Sequence, residues 1–222
     1  DLSGCACNNA NFTSAKMHNT NITNAAFGDV VAKDASMNDL SFNTVLDSNL
    51  GNSNFDGAYI DNCDFSGVLW EGSGRGATFK DLSFVNVDFK LCGSLDLSGA
   101  TFTNVTFHNA DLMGTIMNHT TIAGLDFKDS SLNDVRFAHT DMRGADFSGV
   151  NLTNADLSSA LVAETIFTNA NLTGVTGLAG SDLSGALMNR VNFQVIGAGG
   201  LRGSQLINVD FALSDLSGVD FS

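Results

Sequence analysis

Three groups of side chains carry whatever chemistry this sequence offers. The first is a series at equivalent repeat positions: Asp1, Asn21, Ser41, Asp64, Asp88, Asp111, Ser131, Asn151, Asn171, Asn192 and Asp215. Stacked in successive turns, Asp64, Asp88 and Asp111 would repel one another unless water or a cation screened them. Calcium selects oxygen ligands of this kind, yet a repeat that places Asp or Asn there by default accounts for the series without a metal. The second is His119 with His139, twenty residues apart. Two imidazoles with no third ligand make a poor zinc site, so stacked corner residues facing solvent are expected. The third is a pair of glycine-rich stretches, 72–76 and 197–200. Neither opens a helix or carries the Lys-Ser/Thr pair of a phosphate loop, so both read as plain loops. No Ser-His-Asp or Cys-His set assembles in a pocket, and the chain is expected to be no enzyme, with no cofactor and no metal.

What positions these residues is a five-residue period. Starting at Leu2 and stepping by five, with small frame shifts, gives 42 slots, of which 40 hold Leu, Phe, Met, Ile, Val or Trp. All 17 phenylalanines, from Phe12 to Phe221, occupy it. Such a period fits neither a helix, at 3.6 residues per turn, nor a plain strand, at two. It describes a unit containing a turn, in which two inward positions alternate with outward ones before the chain bends. Ala145-Asp146-Phe147-Ser148-Gly149, Ala155-Asp156-Leu157-Ser158-Ser159 and Ala170-Asn171-Leu172-Thr173-Gly174 show the pattern.

Composition limits the partners. The net charge of −14 disfavours binding nucleic acid through its phosphates. Proline is absent, leaving the corners to Gly, Asn, Asp and Ser. There is no signal-like segment and no apolar run of about 20 residues that could cross a bilayer. The chain, beginning at Asp1, reads as a soluble fragment or processed product of unknown compartment. Cys5, Cys7 and Cys63 fall at inward positions and Cys92 in a frame break, so buried thiols are expected rather than a disulfide framework. Six N-x-Ser/Thr triplets, at Asn11, Asn21, Asn104, Asn118, Asn151 and Asn171, arise from the repeat itself.

Repeated some forty times, the Ala-(Asp/Asn)-Leu-x-x pattern closely resembles the pentapeptide-repeat family along nearly the whole chain. The resemblance implies an all-β fold, a right-handed quadrilateral β-helix with four pentapeptides per coil. The slot residue and the residue two before it would point inward. About ten and a half coils, stacked at about 4.8 Å, would form one domain over residues 1–222 and a rod roughly 50 Å long.

Inward residues twenty apart should then form columns. One is expected to run Met17, Met37, Ile60, Phe84, Phe107, Phe127, Phe147, Phe167, Met188 and Phe211; a second passes through Leu2, Ile22, Phe42, Phe65, Phe89 and Leu112 to Leu216. On this count threonines do not recur in one outward column, which argues against an ice-binding face. The frame breaks near 43–49, 71–78, 90–96, 173–177 and 194–200. All but 71–78 are expected at one corner, giving a single looped edge. Irregular loops on a rigid scaffold commonly carry binding residues. The candidate protein-binding residues are therefore Val45, Leu46, Leu91, Val195 and Ile196 on that edge, with Leu161 and Ile166 as an outward apolar pair. The alternative is that the edge residues fold over the corner and cover the core.

Two functions follow. The first is a non-enzymatic structural scaffold that binds protein partners of unknown identity and self-associates end to end through uncapped coils. The second comes from the resemblance, whose quinolone-resistance members are acidic rods that mimic duplex DNA and bind type II topoisomerase (gyrase). Those members usually dimerise through a C-terminal helical segment, and nothing after Leu206 resembles one.

Overall fold

The structure is a computed structural model that describes residues 1–28, 30–40, 54–56, 58–61, 78–80, 96–103, 105, 107, 110–193 and 200–222, without the side chains of 59–61, 78–80 and 103. No helix occurs among them. Cys63, Cys92, Asp64 and Asp88 lie outside these residues, as do most of 43–49, 71–78, 90–96 and 194–200.

One repeat unit shows how the sequence makes the fold. Phe147 N–H donates to the Ile166 carbonyl at 2.8 Å, while Asp146 N–H donates to the Leu125 carbonyl at 2.9 Å. The unit is thereby tied to the turns above and below it. Val150 N–H donates back to the Phe147 carbonyl at 3.1 Å, closing the corner. The corner residue, Gly149, has φ of 71°. Gly, Asn, Asp, Ser and His hold most of the equivalent positive-φ corners among the described residues, which suits residues with no Cβ or with a short polar side chain, and Glu164, Arg190 and Leu213 are the exceptions.

The Asp one before the slot has a local function. The Asp146 carboxylate accepts the Ser148 N–H at 2.9 Å. Asn151, Asp156, Asn171 and Asp182 accept the N–H two residues on in the same way. The acidity of this chain is therefore largely turn chemistry.

Parallel bridges join residues twenty apart, as in Asp111↔Ser131, Ser131↔Asn151 and Asn151↔Asn171. One side is regular enough to form a five-stranded parallel sheet, β1 (Lys16–His18), β2 (Ser36–Asn38), β3 (Tyr59–Asp61), β4 (Thr78–Lys80) and β5 (Thr101–Thr103), paired in that order. Turns stacked in parallel register, as they are among the described residues, make a β-helix. Slot residues and those two before them are buried along residues 100–193, apart from the shifted stretch near 177. Phe107, Phe127, Phe147 and Phe167 stack at centroid distances of 5.0, 4.9 and 5.7 Å.

The register corrects the expected columns. Met17 pairs with Met37 and Met37 with Ile60, but Ile60 then pairs with Phe79 rather than Phe84, and Phe79 with Phe102. Thr101↔Thr121 carries this side on to Ile122. Ile22 and Phe127 each lie one slot beyond it and so share a side, whereas Leu112 and Leu132 belong to the next one. Each expected column therefore joins halves of two neighbouring sides. The gap from Trp70 to Phe79 spans nine residues, nearly two pentapeptides; reading it as one enlarged unit loses a side.

Two consequences follow. By slot count from the strand side, the breaks after Trp70, Phe89, Leu172 and Phe193 come two slots on, while the break after Phe42 comes one slot on. The grouping of 43–49 with 173–177, and the separation of 71–78 from it, rest on the miscounted gap, and residues 43–49 and 71–77 lie outside the described residues. Thr101 and Thr121 also fall in one outward column, against expectation, and Thr78 takes the same register position, in a run bounded by Tyr59 and Asp141.

Candidate functional site

The candidates divide by what the structure describes. Val45, Leu46, Leu91, Val195 and Ile196 lie outside the described residues. Of the looped edge, 173–177 is described, and it does not project. Gly177 has φ of 90°, and a Cβ there would come within 2.3 Å of the Ser158 backbone nitrogen. The extra residue is absorbed by laying bare backbone against the neighbouring turn, and Ser181 Oγ closes it by donating to the Gly177 carbonyl at 2.8 Å.

Leu161 and Ile166 are described, and both occupy the outward position one before a slot. Leu161 is 52% exposed and Ile166 half-buried. The structure adds a residue that the sequence pattern alone does not reveal: Leu187, 38% exposed, pairs with Ile166 across adjacent turns. Counting in twenties hides it, since the inserted residue at 173–177 makes that spacing twenty-one.

Beside Leu161 the surface dips into a cavity of about 170 Å³ lined by Arg143, Ala160, Leu161, Val162, Ala163 and Asp182. Arg143 is already engaged, its Nε and Nη2 donating to Asp141 at 2.9 and 2.7 Å. That bond is the main reason the Asp141 carboxyl lies below its ordinary value, against the opposing effect of burial. Asp182 also lies below its ordinary value because Ser184 hydrogen-bonds to it. Below Ile166, Asp146 is bonded to Lys128 at 2.7 Å.

The other groupings resolve differently. The rings of His119 and His139 stack at 4.7 Å and 5°, at exposed positive-φ corners, as the twenty-residue spacing predicts. Among the described residues no group of three or more His, Cys, Asp or Glu is placed to hold a metal ion. Cys7 is buried and Cys5 half-buried, both as free thiols. Burial, reinforced by Cys5, pushes the Cys7 thiol up to about 11. Buried hydroxyls at the inward position donate to a carbonyl of the turn below: Ser130 to Phe107, Thr140 to Met117 and Thr165 to Met142. Among the described residues, Thr115 Oγ1 is the buried side-chain polar atom without a partner. No helix among the described residues is long and apolar enough to cross a membrane.

Comparison with known proteins agrees with this geometry. Residues 100–177 match the family model "Pentapeptide repeat region" and residues 1–30 match "Pentapeptide repeats (8 copies)". Among solved structures the chain is similar to HetL, a pentapeptide repeat protein involved in heterocyst differentiation regulation from the cyanobacterium Nostoc sp. strain PCC 7120. The identity is 16%, over 87% of this chain and 90% of that one, with a TM-score of 0.53. A pentapeptide repeat protein of the Arabidopsis thaliana thylakoid lumen is 27% identical over 52% of this chain and 70% of its own, with a TM-score of 0.35. QnrB1, a plasmid-mediated fluoroquinolone resistance protein, is 19% identical over 93% and 94%, with a TM-score of 0.33. No curated protein matches by sequence. The repeat units, their parallel stacking and the two family-model matches identify residues 1–30 and 100–177 as pentapeptide repeats of that family.

Proposed function

We propose that this protein is a non-enzymatic scaffold that binds other proteins on its outer surface. The observation that carries the reading is the filled interior. Inward positions along the continuous run 110–172 hold apolar side chains or hydroxyls bonded to the backbone, with Thr115 as the exception. Such an interior has no room for a substrate, so recognition falls to the outside. The fold proposed with it has four pentapeptides per right-handed coil and about ten and a half coils, supported by bridges twenty residues apart over slots five apart.

The proposed contacts are Leu161 and Ile166, with the loop residues Val45, Leu46, Leu91, Val195 and Ile196. Self-association end to end is the second part of the proposal. A chain that stays monomeric by light scattering at high concentration rules this part out.

The scaffold is tested by placing a photo-crosslinking residue at position 161 or 46 and identifying the adducts formed in a lysate. One dominant protein adduct, lost on competition with unlabelled rod, is expected. Adducts that ignore the competitor at both positions defeat the reading. A gyrase supercoiling assay with and without a quinolone separates it from the DNA-mimic reading, because the scaffold leaves supercoiling unchanged at micromolar protein.

A further inference from the structure

We propose that the two sides meeting at Glu164 form a docking surface for a cationic amphipathic helix of another protein, which rests on the scaffold reading and specifies its partner's chemistry. The position one before the slot is where Asp and Asn cap the turn, accepting the N–H two residues on. Leu161, Ile166 and Leu187 forgo that bond at three neighbouring units, two in one turn and one stacked above. A local rule broken in one patch without a packing gain points to function.

Among the described residues, the other large apolar side chains in this position stand alone. Val31 lies between Asn11 and Asn54, and Ile116 between Asp96 and Arg136. Single exposed hydrophobes are ordinary, whereas a contiguous group on a rigid face marks an interaction site.

Charge selects the occupant. Glu164 lies at the corner between the two sides, with its Cγ leaning toward Gly185. Asp182 lines the cavity beside Leu161, and Asp210 caps the Leu187 column, where it accepts a hydrogen bond from Asn189. Arg143, the one cation lining that cavity, is held by Asp141 at 2.7 Å. A lysine or arginine entering beside Leu161 therefore meets Asp182, while its apolar neighbours cover Ile166 and Leu187. An acidic segment would meet three carboxylates on a chain of net charge −14.

The probe is a helical peptide about 18 residues long, five turns, with leucines on one face and lysines on the other. Two controls replace its leucines by serine or its lysines by glutamate. Fluorescence anisotropy at physiological salt should show micromolar binding of the Leu/Lys peptide and at least about tenfold weaker binding of both controls, or about 1.4 kcal/mol. The variant Leu161→Asn, Ile166→Asn, Leu187→Asn should weaken binding about tenfold. Its Tm should stay level or rise by about 2 °C, because asparagine restores the missing caps. Asp182→Asn should weaken binding severalfold. Equal binding of the Leu/Lys and Lys/Ser peptides, or unchanged binding by the triple variant, overturns the proposal and leaves only net charge as the attraction. A partner captured at position 46 alone would sustain the scaffold while removing this surface.

Discussion

The ring of Phe127 lies 4.9 Å from that of Phe147 and within 12° of parallel, and both are fully buried. Phe107 continues the stack below and Phe167 above, and Phe137 packs edge-on against both Phe127 and Phe147, so each of these two rings is covered on its two faces and at its rim. Phe127→Ala should therefore cost about 3–5 kcal/mol, the range for emptying a close-packed aromatic site. Phe221→Ala, at a half-exposed position in the last turn, should cost under about 1.5 kcal/mol. Urea unfolding measures both. Equal losses would mean that the stack is not the centre of stability.

Thr115 and Thr140 are fully buried at equivalent inward positions, but only the Thr140 hydroxyl has an acceptor, the Met117 carbonyl at 2.7 Å. Valine matches threonine in shape. Thr140→Val should destabilise by about 1 kcal/mol, whereas Thr115→Val should be neutral or stabilising by about the same amount. A loss at both positions would show that Thr115 has a partner after all.

Glycine at a corner has two meanings here. At Gly149, with φ of 71°, an added methyl would meet nothing within 4 Å, so Gly149→Ala should cost only the strain of the left-handed backbone, about 1 kcal/mol. At Gly177 the methyl would meet the backbone of Leu157 and Ser158 at 2.3–2.5 Å. Gly177→Ala should cost well over about 3 kcal/mol, since two backbone segments must part. Thermal unfolding of the two variants should differ by many degrees, and similar Tm values would place 173–177 away from Ser158.

Residue types make most of this fold legible in the sequence. The inward pair of each unit shows there because bulky slot residues and small partners alternate, as in Ala145 with Phe147. The turn capping by Asp146 is open to view as a pattern but not as a cause, since the same spacing also fits a metal ladder. Ile60↔Phe79 is hidden. A nine-residue gap can be one enlarged unit or nearly two ordinary ones, and only backbone pairing distinguishes them. Leu187 escapes through the same kind of miscount, by one residue. In a solenoid, a single miscounted insertion displaces every column beyond it.

Acid should undo the caps. Arg143 holds the Asp141 carboxyl below its ordinary value of 3.8. At Asp146 and Asp156 partial burial pushes the carboxyl upward, but hydrogen bonds outweigh it and the net shift is again downward. Those bonds come from Lys128 and Ser148 at Asp146, and from Ser158 and Thr176 at Asp156. A carboxylate whose value is lowered by folding contributes stability that is fully present above the unfolded value and is lost as pH falls through the folded one. Stability attributable to these groups should hold level from pH 7 to about 5 and then fall below about 4. In Asp141→Asn the side chain no longer titrates, so the acid limb should be shallower while the turn keeps an acceptor for the Arg143 N–H. Urea midpoints measured from pH 7 to about 2.5 test this. An unchanged acid limb in Asp141→Asn would show that the Arg143 pair is screened by solvent, as exposed ion pairs commonly are.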